Sequence, residues 1–183
     1  MRLRFATFLL LLSACAPHRD LPFMGQVPPF EMVSQDGKPF HSSSLAGHVW
    51  VADFIFTHCP GPCLRMSTHL NKVQAATARY PEIRLVSFTV DPARDSPPVL
   101  AAFASRYQAD PKRWVFLTGQ QAALQMLSRD TFKLGDVDGS MNHSTRFVLV
   151  DKQGRVRGIY GTQEDDPVGK VTADAIQLQK ENS

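Results

Sequence analysis

The chain has 183 residues, 43% of them hydrophobic and 20% charged, with 11 Gly and 13 Pro. This balance supports one buried core and excludes a collagen-like, coiled-coil or wholly disordered chain. Twenty Lys plus Arg against 17 Asp plus Glu give a net +3, which falls to +1 without Arg2 and Arg4, and no basic stripe marks a nucleic-acid surface.

Those two arginines precede the one uninterrupted apolar run, residues 5–12, which is too short for a membrane span. Ser13, Ala14 and Cys15 follow, completing the order of a secretory signal. Leu12-Ser13-Ala14-Cys15 resembles the lipobox of bacterial lipoproteins. The resemblance implies a signal peptide over 1–14, cleavage before Cys15 and acylation of that residue. Several acyl chains would hold an exported protein on a bacterial membrane without a transmembrane helix. Residues 15–30 are expected as a lipidated tether, because Pro17, Pro22, Pro28 and Pro29 exclude a regular helix. Residues 31–183 are expected as one folded domain facing the periplasm or the extracytoplasmic space.

Within that domain, 34–37 reads as a turn and the apolar run 49–56 as a buried strand. A helical face over 62–79 is ended by Pro81. A second strand occupies 83–90, and Ser96 with Pro97 starts a helix reaching Tyr107. A third strand is predicted at 114–118, with a helix over 120–129. Strands 147–150 and 156–160 flank Asp151-Lys152-Gln153-Gly154 as a hairpin, and an amphipathic helix closes the chain over 167–179. Strands alternating with helices and ending in an antiparallel hairpin define an α/β fold, a mixed central sheet flanked by helices.

With Cys15 assigned to lipid, two thiols remain, Cys59 and Cys63, in a compartment where disulfides form. In a helical turn their spacing sets both sulfurs on one face, about 40° apart. The N-terminus of the following helix favours thiolate there. Soft thiolates suit Cu(I) and leave a position that a neutral imidazole completes. His58 points elsewhere if the loop is extended, and His69 lies about 240° around the helix from Cys63. His18, His41 and His48 sit in tether, turn and pre-strand contexts, as ordinary surface or core residues. His143 remains, delivered by a loop to the edge of strand 147–150.

Four blocks in order carry a family resemblance. They are Phe54-Ile55-Phe56-Thr57-His58-Cys59-Pro60-Gly61-Pro62-Cys63, Val90-Asp91-Pro92-Ala93-Arg94-Asp95-Ser96, His143-Ser144, and Asp151-Lys152-Gln153-Gly154. Together they resemble the SCO/SenC family of thioredoxin-like copper proteins. The resemblance implies copper held by Cys59, Cys63 and His143, and a part in assembling the CuA centre of cytochrome c oxidase. Its partners would be the oxidase subunit carrying CuA and a small copper donor protein, and the chain would be a metallochaperone rather than an enzyme. Two positions depart from the family: Leu64 follows the second cysteine where Pro is frequent, and Asn142 precedes the histidine where Asp is frequent.

The alternative is a thiol-disulfide oxidoreductase that reduces a client's cysteines through a Cys59–Cys63 disulfide. Asp53 stands six residues before Cys59, the offset of the buried acid of thioredoxins, where it would assist proton transfer. Three residues between the cysteines, rather than two, argue against plain thioredoxin chemistry. The block from Asp91 to Asp95 reads first as local caps and ion pairs. Asp136 and Asp138 fail as a calcium loop, since Met141 and Phe147 fall where Gly and Glu are needed. Scattered Met residues read as core filler, with Met141 alone close to His143.

Overall fold

Consecutive apolar runs separated by proline-started helices give the centre of the molecule its two βαβ units. The structure is a computed structural model that describes residues 20–59, 61–135 and 144–181. Strand β4 (Trp50–Ile55) leads through α1 (Pro62–Ala76) to β5 (Arg84–Thr89), and β5 through α2 (Pro97–Arg106) to β6 (Trp114–Thr118). The three strands pair in parallel, and all six residues of β4 are buried. This explains an unbroken apolar run in place of an alternating one.

The remaining strands extend this core on both sides. The hairpin of β7 (Arg146–Val150) and β8 (Arg155–Gly161) adds antiparallel to β4. Its turn is set by Gly154 at φ +76° and by Asp151, which accepts from Arg155 and Arg157. Beyond β6 lie β2 (Glu31–Ser34) and β3 (Pro39–His41), and beyond β8 lies β1 (Gly25–Gln26). Among the described residues eight strands run in the order β1-β8-β7-β4-β5-β6-β2-β3. The sheet is mixed, as expected. Helix α4 (Pro167–Lys180) packs against α1.

Some bounds differ from those read in the sequence. The helix expected over 62–79 ends at Ala76, because Thr77 turns its hydroxyl onto the Val73 carbonyl and Arg113 donates to Thr77 and Gln74. The helix expected over 120–129 is α3 (Gln121–Gln125) continued by a π-helical turn over Met126–Thr131. Ser96 precedes α2 without a side-chain cap bond. Residues 20–30, in the stretch expected as tether, include β1 and bury Leu21 and Phe30 in the core. Proline rules out a helix there but leaves extended backbone to pair with the open side of β8. Strands β2 and β3 were not expected.

The two faces of the sheet differ in content. Trp50, Phe54 and Phe88 meet Phe132 on one face, and Phe30 packs edge-on against Phe88. Asp53, Ser87 and Phe116 share the other face by register, with Phe103 of α2 against Phe116. A cleft of about 500 Å³ opens between Pro28, Phe30, Trp50 and Gly154. That is where β4 begins, at the end of the sheet away from the cysteines.

Candidate metal centre

The cysteines follow the carboxyl end of β4, the position where open α/β sheets place their ligands. Leaving β4, the chain turns at Cys59, whose N–H donates to the Phe56 carbonyl at 3.3 Å. Gly61 caps α1, and Pro62 takes its first position, where no backbone N–H is needed. Cys63 is therefore in the first turn of α1, with an amide that has no partner within the helix. That amide donates to Cys59 Sγ at 3.3 Å, so the first cysteine caps the helix that carries the second. No disulfide joins them, and both are buried, at 6% and 0% exposure. Leu64, beside them, is exposed.

The expectation that the helix N-terminus favours thiolate fails for Cys63. Burial pushes this thiol well above the usual range, and the Cys59 side chain and Asp53 push the same way, with only the Phe56 backbone opposing. Desolvation outweighs the helix end. Cys63 rests as a neutral thiol, which must release its proton to become a metal ligand.

Asp53 is wholly buried on the face that carries α1. Neither carboxylate oxygen has a hydrogen-bond partner among the described residues. Burial raises it from 3.8 to about 7, moderated by Ser87 opposite it on β5. The offset from Cys59 thus brings an acid into electrostatic contact with Cys63.

The loop before the cysteines is held from another element. Asp95, with 0% exposure, accepts from the Thr57 amide at 3.1 Å, the Thr57 hydroxyl at 2.6 Å and the Thr89 hydroxyl at 2.6 Å. The block from Asp91 to Asp95 does contain the expected local pair, Arg94 with Asp91. It also contains this long-range clamp, which sequence reasoning missed. Thr57 and Thr89 sit at or just beyond the ends of neighbouring parallel strands, and that pairing of hydroxyls was the available signal.

Among the other histidines, His41 meets Glu31 and His48 meets Glu82, while His69 lies on α1. His58 is exposed, with Nδ1 3.1 Å from Thr57 Oγ1. His143, Met141, Asn142, Asp136, Asp138, Cys15 and His18 lie outside the described residues. Among the described residues no group of three or more His, Cys, Asp or Glu side chains is placed to hold a metal. The described donor set is the Cys59 and Cys63 pair, two soft ligands within one helical turn, which fits a thiophilic ion. The chain enters β7 at Arg146, at the same end of the sheet as Ile55.

A mixed sheet with a dithiol where β4 meets α1 places the molecule among thioredoxin-like proteins. The SCO1/SenC family pattern matches residues 23–177. A SCO1/SenC family lipoprotein of Bacillus anthracis is 33% identical, with a TM-score of 0.77 over 85% of this chain and 96% of that one. BsSco, a member of the Sco family of cytochrome c oxidase assembly proteins in which a disulfide switch was identified, is 31% identical. Its TM-score is 0.78 over 91% of this chain and 100% of that one. A protein of Stutzerimonas stutzeri whose name assigns it copper binding is 32% identical over 149 residues, 75% of this chain and 70% of that one. The chain belongs to the SCO1/SenC family.

Proposed function

We propose that this protein binds copper and carries it to the CuA centre of cytochrome c oxidase during assembly. Cys59 and Cys63 as thiolates and His143 as neutral imidazole hold the ion, which moves on by ligand exchange. The single observation that carries this reading is the reduced, buried pair of sulfurs at the head of α1, one capping the other's amide. Two such donors select a soft monovalent ion, and a third position is left for imidazole. His143 supports the reading by its place in sequence, one peptide unit ahead of Ser144. The partners are the oxidase subunit bearing CuA and a small copper donor.

The domain is tethered to a bacterial membrane, outside the cytoplasm, through acylated Cys15. The division is a signal peptide over 1–14, a short lipidated segment from Cys15, and a copper domain that already includes the buried Leu21 and strand β1. The B. anthracis relative's description as a lipoprotein supports this arrangement.

A second reading is favoured by Asp53. A buried acid near pH 7 in electrostatic contact with Cys63 can take or return the thiol proton in disulfide exchange. The protein would then reduce the cysteines of its client, and the disulfide switch of BsSco is consistent with it. Metal analysis of the reduced and the oxidised protein after anaerobic equilibration with Cu(I) tests the first reading. About one copper bound by the reduced form and none by the disulfide form is expected; equal binding by both removes the thiols from the site.

A further inference from the structure

The hydrogen bonds around Thr57 fix the chemistry of the histidine beside Cys59. A carboxylate only accepts, so the hydroxyl proton of Thr57 goes to Asp95 Oδ1, at 2.6 Å. Thr57 Oγ1 then has only lone pairs to offer the imidazole 3.1 Å away. His58 Nδ1 must therefore carry a hydrogen and donate it, and in the neutral imidazole this puts the lone pair on Nε2. His58 is exposed, and its hydrogen bond among the described residues is made through Nδ1. Metal-binding histidines have this arrangement, one ring N–H tied to a fixed acceptor and the other nitrogen presented as ligand. His41 and His48 are also oriented, by Glu31 and Glu82, but neither has a thiol beside it in the sequence.

We infer that His58 is the exchange ligand of this site, the group that first takes copper(I) from an incoming donor and passes it to Cys59. The inference rests on the copper reading above. Its reason is accessibility: both thiols are buried, at 6% and 0% exposure, whereas the imidazole of the residue that precedes Cys59 in the chain is exposed. In the first step the Nε2–Cu bond forms as a copper bond to the donor's ligand breaks. In the second, the Cys59 thiol gives its proton to water, the Sγ–Cu bond forms and the Nε2–Cu bond breaks. Copper stays monovalent throughout, and no electrons are transferred.

The role is kinetic, so the test separates rate from equilibrium. Reduced, metal-free protein is mixed anaerobically with the Cu(I)–bicinchoninate complex, and loss of the chelator colour is followed by stopped flow. His58→Ala should slow uptake about tenfold, a change of about 1.4 kcal/mol in the barrier, and leave the final copper distribution unchanged. Long-range proton–nitrogen NMR of the metal-free protein should show hydrogen on Nδ1 of His58, and Thr57→Val should abolish that preference. Equal rates for wild type and His58→Ala, or hydrogen on Nε2 in the wild type, would overturn the exchange role alone. A fall in equilibrium affinity matching the fall in rate would make His58 a resident ligand and overturn it too. If the wild type takes no copper at all, the copper reading fails and this inference with it.

Discussion

Asp95 accepts hydrogen bonds from both the amide and the hydroxyl of Thr57, a residue 38 positions away in the chain. The cysteine loop is thereby fastened to the segment that follows β5, and its geometry depends on a residue that touches neither sulfur. Asp95→Ala would leave the buried Thr89 hydroxyl without its acceptor, at about 1–3 kcal/mol, and the half-buried Thr57 amide and hydroxyl at less, not fully additive. We expect a loss of about 3 kcal/mol in urea unfolding, the upper end of ordinary single substitutions. Cys59 should also react faster with iodoacetamide. Arg94→Ala, in the neighbouring exposed ion pair, should cost less than about 1 kcal/mol; similar losses for the two variants would dissolve the clamp.

His143→Ala separates metal chemistry from thiol chemistry. Losing a group that merely supports a ligand weakens metal binding about 10- to 100-fold, so losing the ligand itself should cost about 100-fold or more. The Cys59–Cys63 disulfide should still form and exchange with glutathione, because attack requires a thiolate and access rather than a third ligand. Competition with a Cu(I) chelator and equilibration with glutathione read the two properties side by side. An unchanged copper affinity removes His143 from the ligand set.

Asp53 imposes a pH dependence whose sign is opposite to that of a salt-bridged carboxylate. Its folded value, about 7, lies above the ordinary 3.8, so the folded state holds the proton more tightly. Its stabilising contribution is complete below 3.8 and is lost as pH rises through about 7, at up to about 1.4 kcal/mol per unit. Asp53→Asn removes this slope. Comparing unfolding free energies at pH 5 and pH 8, the wild type should lose more stability than the variant over that interval; parallel losses would show that Asp53 does not titrate there.

Cys15→Ser tests the anchor. The unaltered protein should fractionate with membranes, and mass spectrometry should find its N-terminal peptide starting at an acylated Cys15. The serine variant should be released or remain unprocessed. An unmodified Cys15 in a soluble mature protein would end the lipoprotein reading.

The parallel core was legible because its strands are long apolar runs and its helices open with Pro62, Pro97 and Pro167, signals written locally in the chain. β1, β2 and β3 were not, for they have two to four residues each; β1 and β2 take their pairing from β8 and β6, far away in sequence, and β3 joins the sheet only through β2. The cysteine pair was visible from spacing alone. The state of Cys63 was not, since the helix end that favours its thiolate is a local feature whereas the burial that opposes it is tertiary. Asp95 was hidden for the same reason: its charged neighbours read as a local turn, and only folding brings Thr57 and Thr89 to it.

The two outermost strands of the sheet bear on how the protein tolerates crowding. β1 offers two residues and β3 three, and the first of those in β3 is Pro39, which has no amide hydrogen to donate. Neither border presents the long row of open backbone groups on which a second molecule could add a strand. Copies gathered at high density on a surface would collide often, yet find little along these borders to zip together. Such molecules can stay separate from one another, with the dithiol end of each sheet unobstructed.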